Sequence, residues 1–137
     1  MRIGELSKAV GCDVETVRYY ERIGLLPDPE RNQSGYRSYS EEHFERLKFI
    51  RHCRALQMSL ADIGTLLSLR AKPAENCVDV NDLLDQHIMH IQERMASLAA
   101  LKTQLLELRC KCNQSAAIRD CAILQRLSQT SRCHVSA

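Results

Sequence analysis

The residues best equipped for chemistry are seven cysteines: Cys12, Cys53, Cys77, Cys110, Cys112, Cys121 and Cys133. No signal peptide precedes them, and an odd count fits a disulfide framework poorly. Metal ligands, redox sensors and small buried side chains are the remaining roles. Cys53 falls on an apolar stripe and Cys12 in a turn without a ligand partner, so both are set aside. Cys77 and the group Cys110, Cys112 and Cys121 remain, with Cys133-His134 a weaker hint in a polar tail. Thiolates select soft or borderline ions. Three sulfurs without histidine or carboxylate suit lead(II) or mercury(II) better than zinc, which takes four ligands in structural sites. Cadmium(II) would draw a fourth ligand from Cys110, water or a carboxylate. Cys110 and Cys112 stand about 200° apart on a continuous helix, so both reach one ion only where the helix ends. Buried or merely surface thiols are the alternative.

The element that must position these thiols runs between them. From Val80 the apolar residues Leu84, Ile88, Ile91, Met95, Leu98, Leu101, Leu105 and Leu108 recur at helical spacing, with Leu84, Ile91, Leu98 and Leu105 in a seven-residue register. No proline or glycine interrupts Val80 to Leu108. This predicts a coiled-coil helix whose seam needs a partner. Cys77 lies one heptad before Leu84 and Cys112 one heptad after Leu105, so a single helix holds the two thiols roughly 50 Å apart. Antiparallel pairing of two such helices would bring Cys77 of one chain beside Cys112 of the other, with Cys121 folding back nearby. His87 and Arg94 lean into the seam and are expected to set register; metal ligation by His87 is the other option. Asp79 or Asn81 is available to cap the helix.

Before this helix lies a small head. Gly4 to Val10 reads as a helix stopped by Gly11, and Val14 to about Ile23 as a second, capped by Asp13 and turned at Gly24. Two short helices around Gly11-Cys12-Asp13 are a helix-turn-helix candidate, with Val14 and Val17 inward and Thr16, Arg18 and Tyr19 left for a groove and its phosphates. A plain helical bundle with an exposed Arg/Tyr face gives the same pattern. Pro27, Pro29, Asn32 and Gly35 then surround an extended Tyr36-Arg37-Ser38-Tyr39, a hairpin wing with Arg31 and Arg37 poised for a DNA backbone, or else a solvated loop. Ser40 opens a helix with Phe44, Leu47, Ile50 and Cys53 as its buried stripe. Ser59 opens another, carrying Ile63, Leu66, Leu67 and Leu69 to Lys72-Pro73.

Bulk properties add exclusions. The formal net charge is +2, and residues 1–54 hold 10 Lys+Arg against 9 Asp+Glu, so charge alone does not argue for nucleic acid. Aromatics are 4% and tryptophan is absent, which suits helices packed through Leu, Ile and Ala. No apolar run is long enough to span a membrane, and a cytoplasmic protein is expected. Neither a Ser/His/Asp constellation nor paired carboxylates are present, so an enzyme is not expected.

Taken together the motifs resemble the MerR family of bacterial transcription regulators, over nearly the whole chain. Ile3-Gly4-Glu5-Leu6, Thr16-Val17-Arg18-Tyr19-Tyr20-Glu21, Gly24-Leu25-Leu26 and Gly35-Tyr36-Arg37-Ser38-Tyr39 match its winged-helix head in order and spacing. Arg54-Ala55-Leu56, Met58-Ser59-Leu60, Leu83-Leu84-Asp85-Gln86-His87-Ile88 and Cys121-Ala122-Ile123-Leu124-Gln125 look most like the cadmium- and lead-responsive branch. The resemblance implies a metal site of Cys77 from one chain with Cys112 and Cys121 from the other, Cys110 being an additional thiol. It implies a homodimer on double-stranded promoter DNA that activates RNA polymerase by distorting the duplex. Lead(II) or cadmium(II) is the expected effector, with mercury(II) or zinc(II) as further options. The mercury sensors share the three-cysteine logic, although Asn113 to Asp120 lacks the histidine expected in a zinc sensor.

The expected fold is therefore mainly α: a winged helix-turn-helix head over 1–72, a linker and antiparallel dimerisation helix over 73–109, and a metal-binding loop, short helix and tail over 110–137. Expected DNA contacts are Thr16, Arg18, Tyr19, Arg31, Tyr36 and Arg37; expected dimer contacts are Leu84, Ile88, Ile91, Leu98 and Leu105. The rival readings are a mercury-responsive regulator and a cytosolic thiol protein for metal buffering or redox, without a DNA role.

Overall fold

The computed structural model describes residues 1–112 and 117–129; Cys133, His134 and part of the expected metal-binding loop lie outside the described residues. Its elements in chain order are α1 (Ile3–Val10), α2 (Val14–Arg22), β1 (Glu30–Arg31), β2 (Arg37–Ser38), α3 (Glu41–Ala55), α4 (Leu60–Arg70), α5 (Val78–Arg109), a 3₁₀ turn (Ile118–Asp120) and α6 (Ala122–Ser128). The chain divides into two compact units, Met1–Asp85 and Gln86–Ala137, with the division inside α5. This places the first turns of α5 with the head, because Val80 and Leu83 pack on the head core.

In the head, helical phase explains the core. Leu6 and Val10 of α1, Val17 of α2, Leu47 and Ile50 of α3, and Ile63, Leu66 and Leu67 of α4 are all buried, together with Leu25, Leu26, Tyr39, Cys53 and Met58. The expected stripes of α3 and α4 are thus the observed ones, except that Leu69 on α4 is only half-buried and buried His43 stands on α3 beside half-buried Phe44. Gly11 ends α1 at φ +83°, its N–H bonded to the Ser7 carbonyl. The positive φ favours glycine, and a Cβ there would sit 2.7 Å from Arg51 Nη1 and push that guanidinium aside.

Three arginines of α3 hold the ends of neighbouring segments. Arg51 donates to the Val10 carbonyl at the end of α1, Arg46 to the Leu25 carbonyl at 2.6 Å, and Arg54 to the Met58 carbonyl at 2.7 Å. Each satisfies an acceptor that a turn or helix end leaves over. They make α3 the spine of the head.

The helix starts differ in part from expectation. Ser59 caps α4 as expected, its Oγ accepting from the Asp62 N–H at 3.1 Å. Asp13 occupies the cap position of α2 but makes no side-chain cap bond. Helix α5 begins at Val78, ahead of Asp79 and Asn81, and Asn76 Oδ1 accepts from the Val78 N–H at 3.0 Å. The reason is the turn formed by Asn76 and Cys77, which supplies an acceptor before the expected one is reached.

The wing is a two-stranded antiparallel hairpin pairing Glu30 with Ser38 and Arg31 with Arg37. Asn32 closes it, with Oδ1 accepting from the N–H groups of Ser34 and Tyr36 at 3.0 Å each. In the second unit α5 continues to Arg109, and none of its residues is fully buried.

Candidate functional site

On the head, α2 and the wing carry the residues expected to meet DNA. Arg18 is half exposed and lies 3.9 Å from Glu15 one turn earlier. Tyr19 is exposed, with the Arg22 guanidinium 5.9 Å from its ring centre. Thr16 is half-buried. On the wing, Arg31 donates to the Gly35 carbonyl at 3.0 Å, and Tyr36 stands exposed with the Arg2 guanidinium 5.4 Å from its ring centre. Between α2 and the wing opens a cleft of about 410 Å³ lined by Ile3, Arg18, Glu21, Arg22, Asp28 and Arg37. Three guanidinium groups at one cleft suit a phosphate backbone.

Arg37 has a partner that sequence reasoning missed. Its Nη1 lies 3.1 Å from Glu21 Oε2, and the Tyr39 hydroxyl donates to Glu21 Oε1. The Glu21 side chain is only 8% exposed. Burial and the Glu21 hydrogen bond push the Tyr39 phenol up to about 12. The signal was present: Val14, Val17 and Glu21 share a helical face, and a carboxylate on a buried face needs donors from elsewhere in the fold.

His43 is the other buried polar group. Its Nδ1 accepts from the Ser40 N–H at 3.1 Å, and Nε2 lies 3.0 Å from the Pro27 carbonyl. An N–H can only donate and a carbonyl only accept, so the ring is the neutral Nε2–H tautomer. The ring also meets Tyr39 edge-on, with centroids 5.2 Å apart. Wing, α2 and α3 thereby converge on Tyr39.

In the second unit, Cys112 follows α5 and Cys121 precedes α6. The fold brings these two expected ligands together: their side chains share a hydrogen bond. The Cys121 thiol is held below its ordinary value chiefly by the backbone N–H of Leu124; desolvation opposes it, and the Ile123 N–H and Cys112 add smaller contributions in the same downward direction. Backbone donors at a helix start favour the thiolate, the form that binds metal. By contrast, burial pushes the thiols of Cys12 and Cys53 up. Cys77 and Cys110 are exposed. Among the described residues of one chain, no three His, Cys, Asp or Glu side chains gather where they could hold a metal ion.

The expected dimer contacts lie on α5. Leu84, Ile88, Ile91, Met95, Leu98, Leu101 and Leu105 are each between 37% and 65% exposed in the single chain.

Comparison with known proteins settles the class. The family description "MerR HTH family regulatory protein" matches residues 1–69, and "MerR, DNA binding" matches residues 44–108. The chain belongs to the MerR family. Its MerR head carries the helix-turn-helix and wing derived above, and the family is one of transcriptional regulators, not of enzymes. Among curated relatives, the HTH-type transcriptional regulator ZntR homolog of Haemophilus influenzae is 47% identical over 81% of this chain and 82% of its own length. A mercuric resistance operon regulatory protein of Bacillus cereus is 37% identical over 92% of this chain and 96% of its own length. Among solved structures, the transcription regulator PbrR691 from Ralstonia metallidurans CH34 in complex with lead(II) is 47% identical. It covers 93% of this chain and 99% of its own, with a TM-score of 0.84. The transcriptional regulator MerR from Bacillus megaterium MB1 in complex with mercury(II) is 33% identical over 94% of this chain and all of its own, with a TM-score of 0.68. No helix among the described residues is long and apolar enough to cross a membrane.

Proposed function

We propose that this MerR-family regulator is a cytoplasmic homodimer that binds promoter DNA through its two heads and activates RNA polymerase when lead(II) or cadmium(II) occupies a three-cysteine site at the dimer interface. The observation that carries the reading is the pairing of Cys112 with Cys121, whose thiol is biased toward thiolate by the Leu124 and Ile123 N–H groups. That donor set fits a soft, thiophilic ion. The likeness to a lead(II)-bound regulator over nearly the full chain supports the same choice. The third ligand is Cys77 of the second chain, which precedes α5 as Cys112 follows it. Cys110 is a further thiol open to cadmium.

The apolar face of α5 supports the dimer. Fully burying each exposed Leu or Ile contributes about 1.5–3 kcal/mol at most, and an isolated helix offers nothing to bury them against. Thr16, Arg18, Tyr19, Arg31, Tyr36 and Arg37 supply the DNA face. When bound, the ion supplies sulfur bonds that cross from one chain to the other. The dimer responds through the difference in how well Cys77, Cys112 and Cys121 converge in its two poses, because only differential affinity shifts an equilibrium. The shift in head spacing then bends and untwists the duplex, an indirect readout used as a switch.

A mixed dimer tests the site. One chain carries Cys77→Ser and the other Cys112→Ser with Cys121→Ser. One interface then retains all three native thiols and the other none. The mixed dimer is expected to bind one lead(II) ion, with the absorption bands of thiolate–lead bonds, while neither mutant homodimer binds tightly. A mixed dimer that binds no lead sinks the shared site. Promoter–reporter induction across lead, cadmium, mercury and zinc salts ranks the effectors, and a response to mercury alone would replace the lead and cadmium assignment.

A further inference from the structure

Glu21 is the one carboxylate on α2 withdrawn from solvent; Glu15 on the same helix is 82% exposed. Its two oxygens are used by two different residues of the wing segment. Oε2 takes Arg37 of β2 and Oε1 takes the Tyr39 hydroxyl just beyond it. Tyr39 is itself fixed on other sides. Its N–H donates to the Met1 carbonyl at 2.7 Å, and its buried ring meets His43 of α3. Glu21 thus ties the helix expected in the major groove to the strand expected on the phosphates. The Arg37 side chain remains 49% exposed, at the mouth of the cleft that also holds Arg18 and Arg22. It spends part of its donor set inward and keeps the rest for a phosphate.

We propose that Glu21 is a positioning and specificity-determining residue for DNA recognition: its carboxylate registers the wing against α2 and internally neutralises Arg37. This rests on the DNA-binding reading above. Two consequences of opposite sign follow. Held against Glu21, Arg37 meets phosphate only where α2 also sits correctly over its bases, so registration favours the right sequence. Paired with a carboxylate, Arg37 also releases fewer counterions from DNA than a bare guanidinium would. Glu21 therefore sacrifices general affinity for discrimination.

The test uses the full chain as a dimer and two duplexes, one selected by the wild-type protein from a randomised pool and one of random sequence. Glu21→Gln keeps the shape of the side chain and removes its charge. Losing a hydrogen bond to a charged group lowers the selected-to-random affinity ratio about tenfold. At the same time the salt dependence of random-duplex binding steepens by up to about 1.8 in the log–log slope, because one more cation in each of the two heads meets the phosphates. In an Arg37→Ala background the same Glu21→Gln change leaves the slope unmoved, since no cation is left to release. A wing that had merely loosened would show the lower ratio without the steeper slope, and that result overturns the proposal. So does a variant with wild-type ratio and slope. Tyr39→Phe, which removes one donor and no charge, is expected to lower the ratio about threefold with the slope unchanged; an unchanged ratio there counts against registration even if Glu21→Gln does not fold. A wild-type protein that selects no sequence at all would fail the DNA-binding reading itself, and this inference with it.

Discussion

Between Met1 and Asp85, apolar side chains from α1 to α4 close on one another within one chain, and the arginines of α3 satisfy the carbonyls left at the segment ends. Beyond Asp85 the same kinds of side chain stand in the open along α5. The head buries its apolar side chains within one chain, whereas the apolar face of the long helix is exposed in the single chain and, on the proposed reading, is covered by a second copy. The contrast separates two sources of stability. One arises from intramolecular burial and is independent of concentration; the other arises from association and follows mass action. It also divides the chemistry, because the head completes its polar network at Glu21 while, among the described residues, the thiol cluster brings together Cys112 and Cys121 without a third ligand.

The strongest way to break this contrast is to remove the association. Replacing Ile91 and Leu98 together by Asp puts two charges on the proposed seam, and each burial then costs several kcal/mol. Sedimentation is expected to show monomers at micromolar concentration, with the head still helical. A dimer that survives would reject α5 as the interface.

Next in size is a change confined to the head. Leu47 is wholly buried on α3, and Leu47→Ala is expected to cost about 2–5 kcal/mol. Denaturation should detect that loss equally at low and high protein concentration. A concentration-dependent cost would mean that the head and the dimer fold as one.

A third prediction concerns alkaline pH. The Tyr39 phenol is raised from 10.0 to about 12, so its contribution to head stability is whole below pH 10 and is lost as pH rises towards 12. Ultraviolet titration should show one tyrosine ionising near that upper value, together with loss of head structure. Burial is the larger cause and persists in Glu21→Gln, but loss of the carboxylate, the second cause, should bring that titration partly down.

The smallest effect sharpens the chemical side of the contrast. Iodoacetamide at neutral pH is expected to label Cys121 faster than Cys12 or Cys53, by peptide mass mapping. Thiolate is favoured at Cys121 by its backbone donors and disfavoured at the other two by burial. Equal rates would remove the special status of that thiol.

Much of the molecule was legible in the order of its residues. Gly11 and Ser59 marked helix ends because a positive φ and a capping hydroxyl are local requirements. The buried stripes of α3 and α4 and the open stripe of α5 followed from the 3.6-residue period, and the hairpin wing from prolines, Asn32 and Gly35. All of these depend on neighbours a few positions away, and periodicity carries that information. The length and regularity of the α5 stripe were also legible, and they are what the proposed dimer rests on.

Tertiary structure alone decided the rest. Glu21 and Arg37 are 16 residues apart, Glu21 and Tyr39 18, and Arg51 and Val10 41. No local period specifies such pairs, because they exist only after α1, α2 and α3 have packed. Arg37 looked from its sequence like a free phosphate contact, and the fold gave it a buried carboxylate as well. His43 carries no local signal of burial, and packing places it between Ser40 and Pro27.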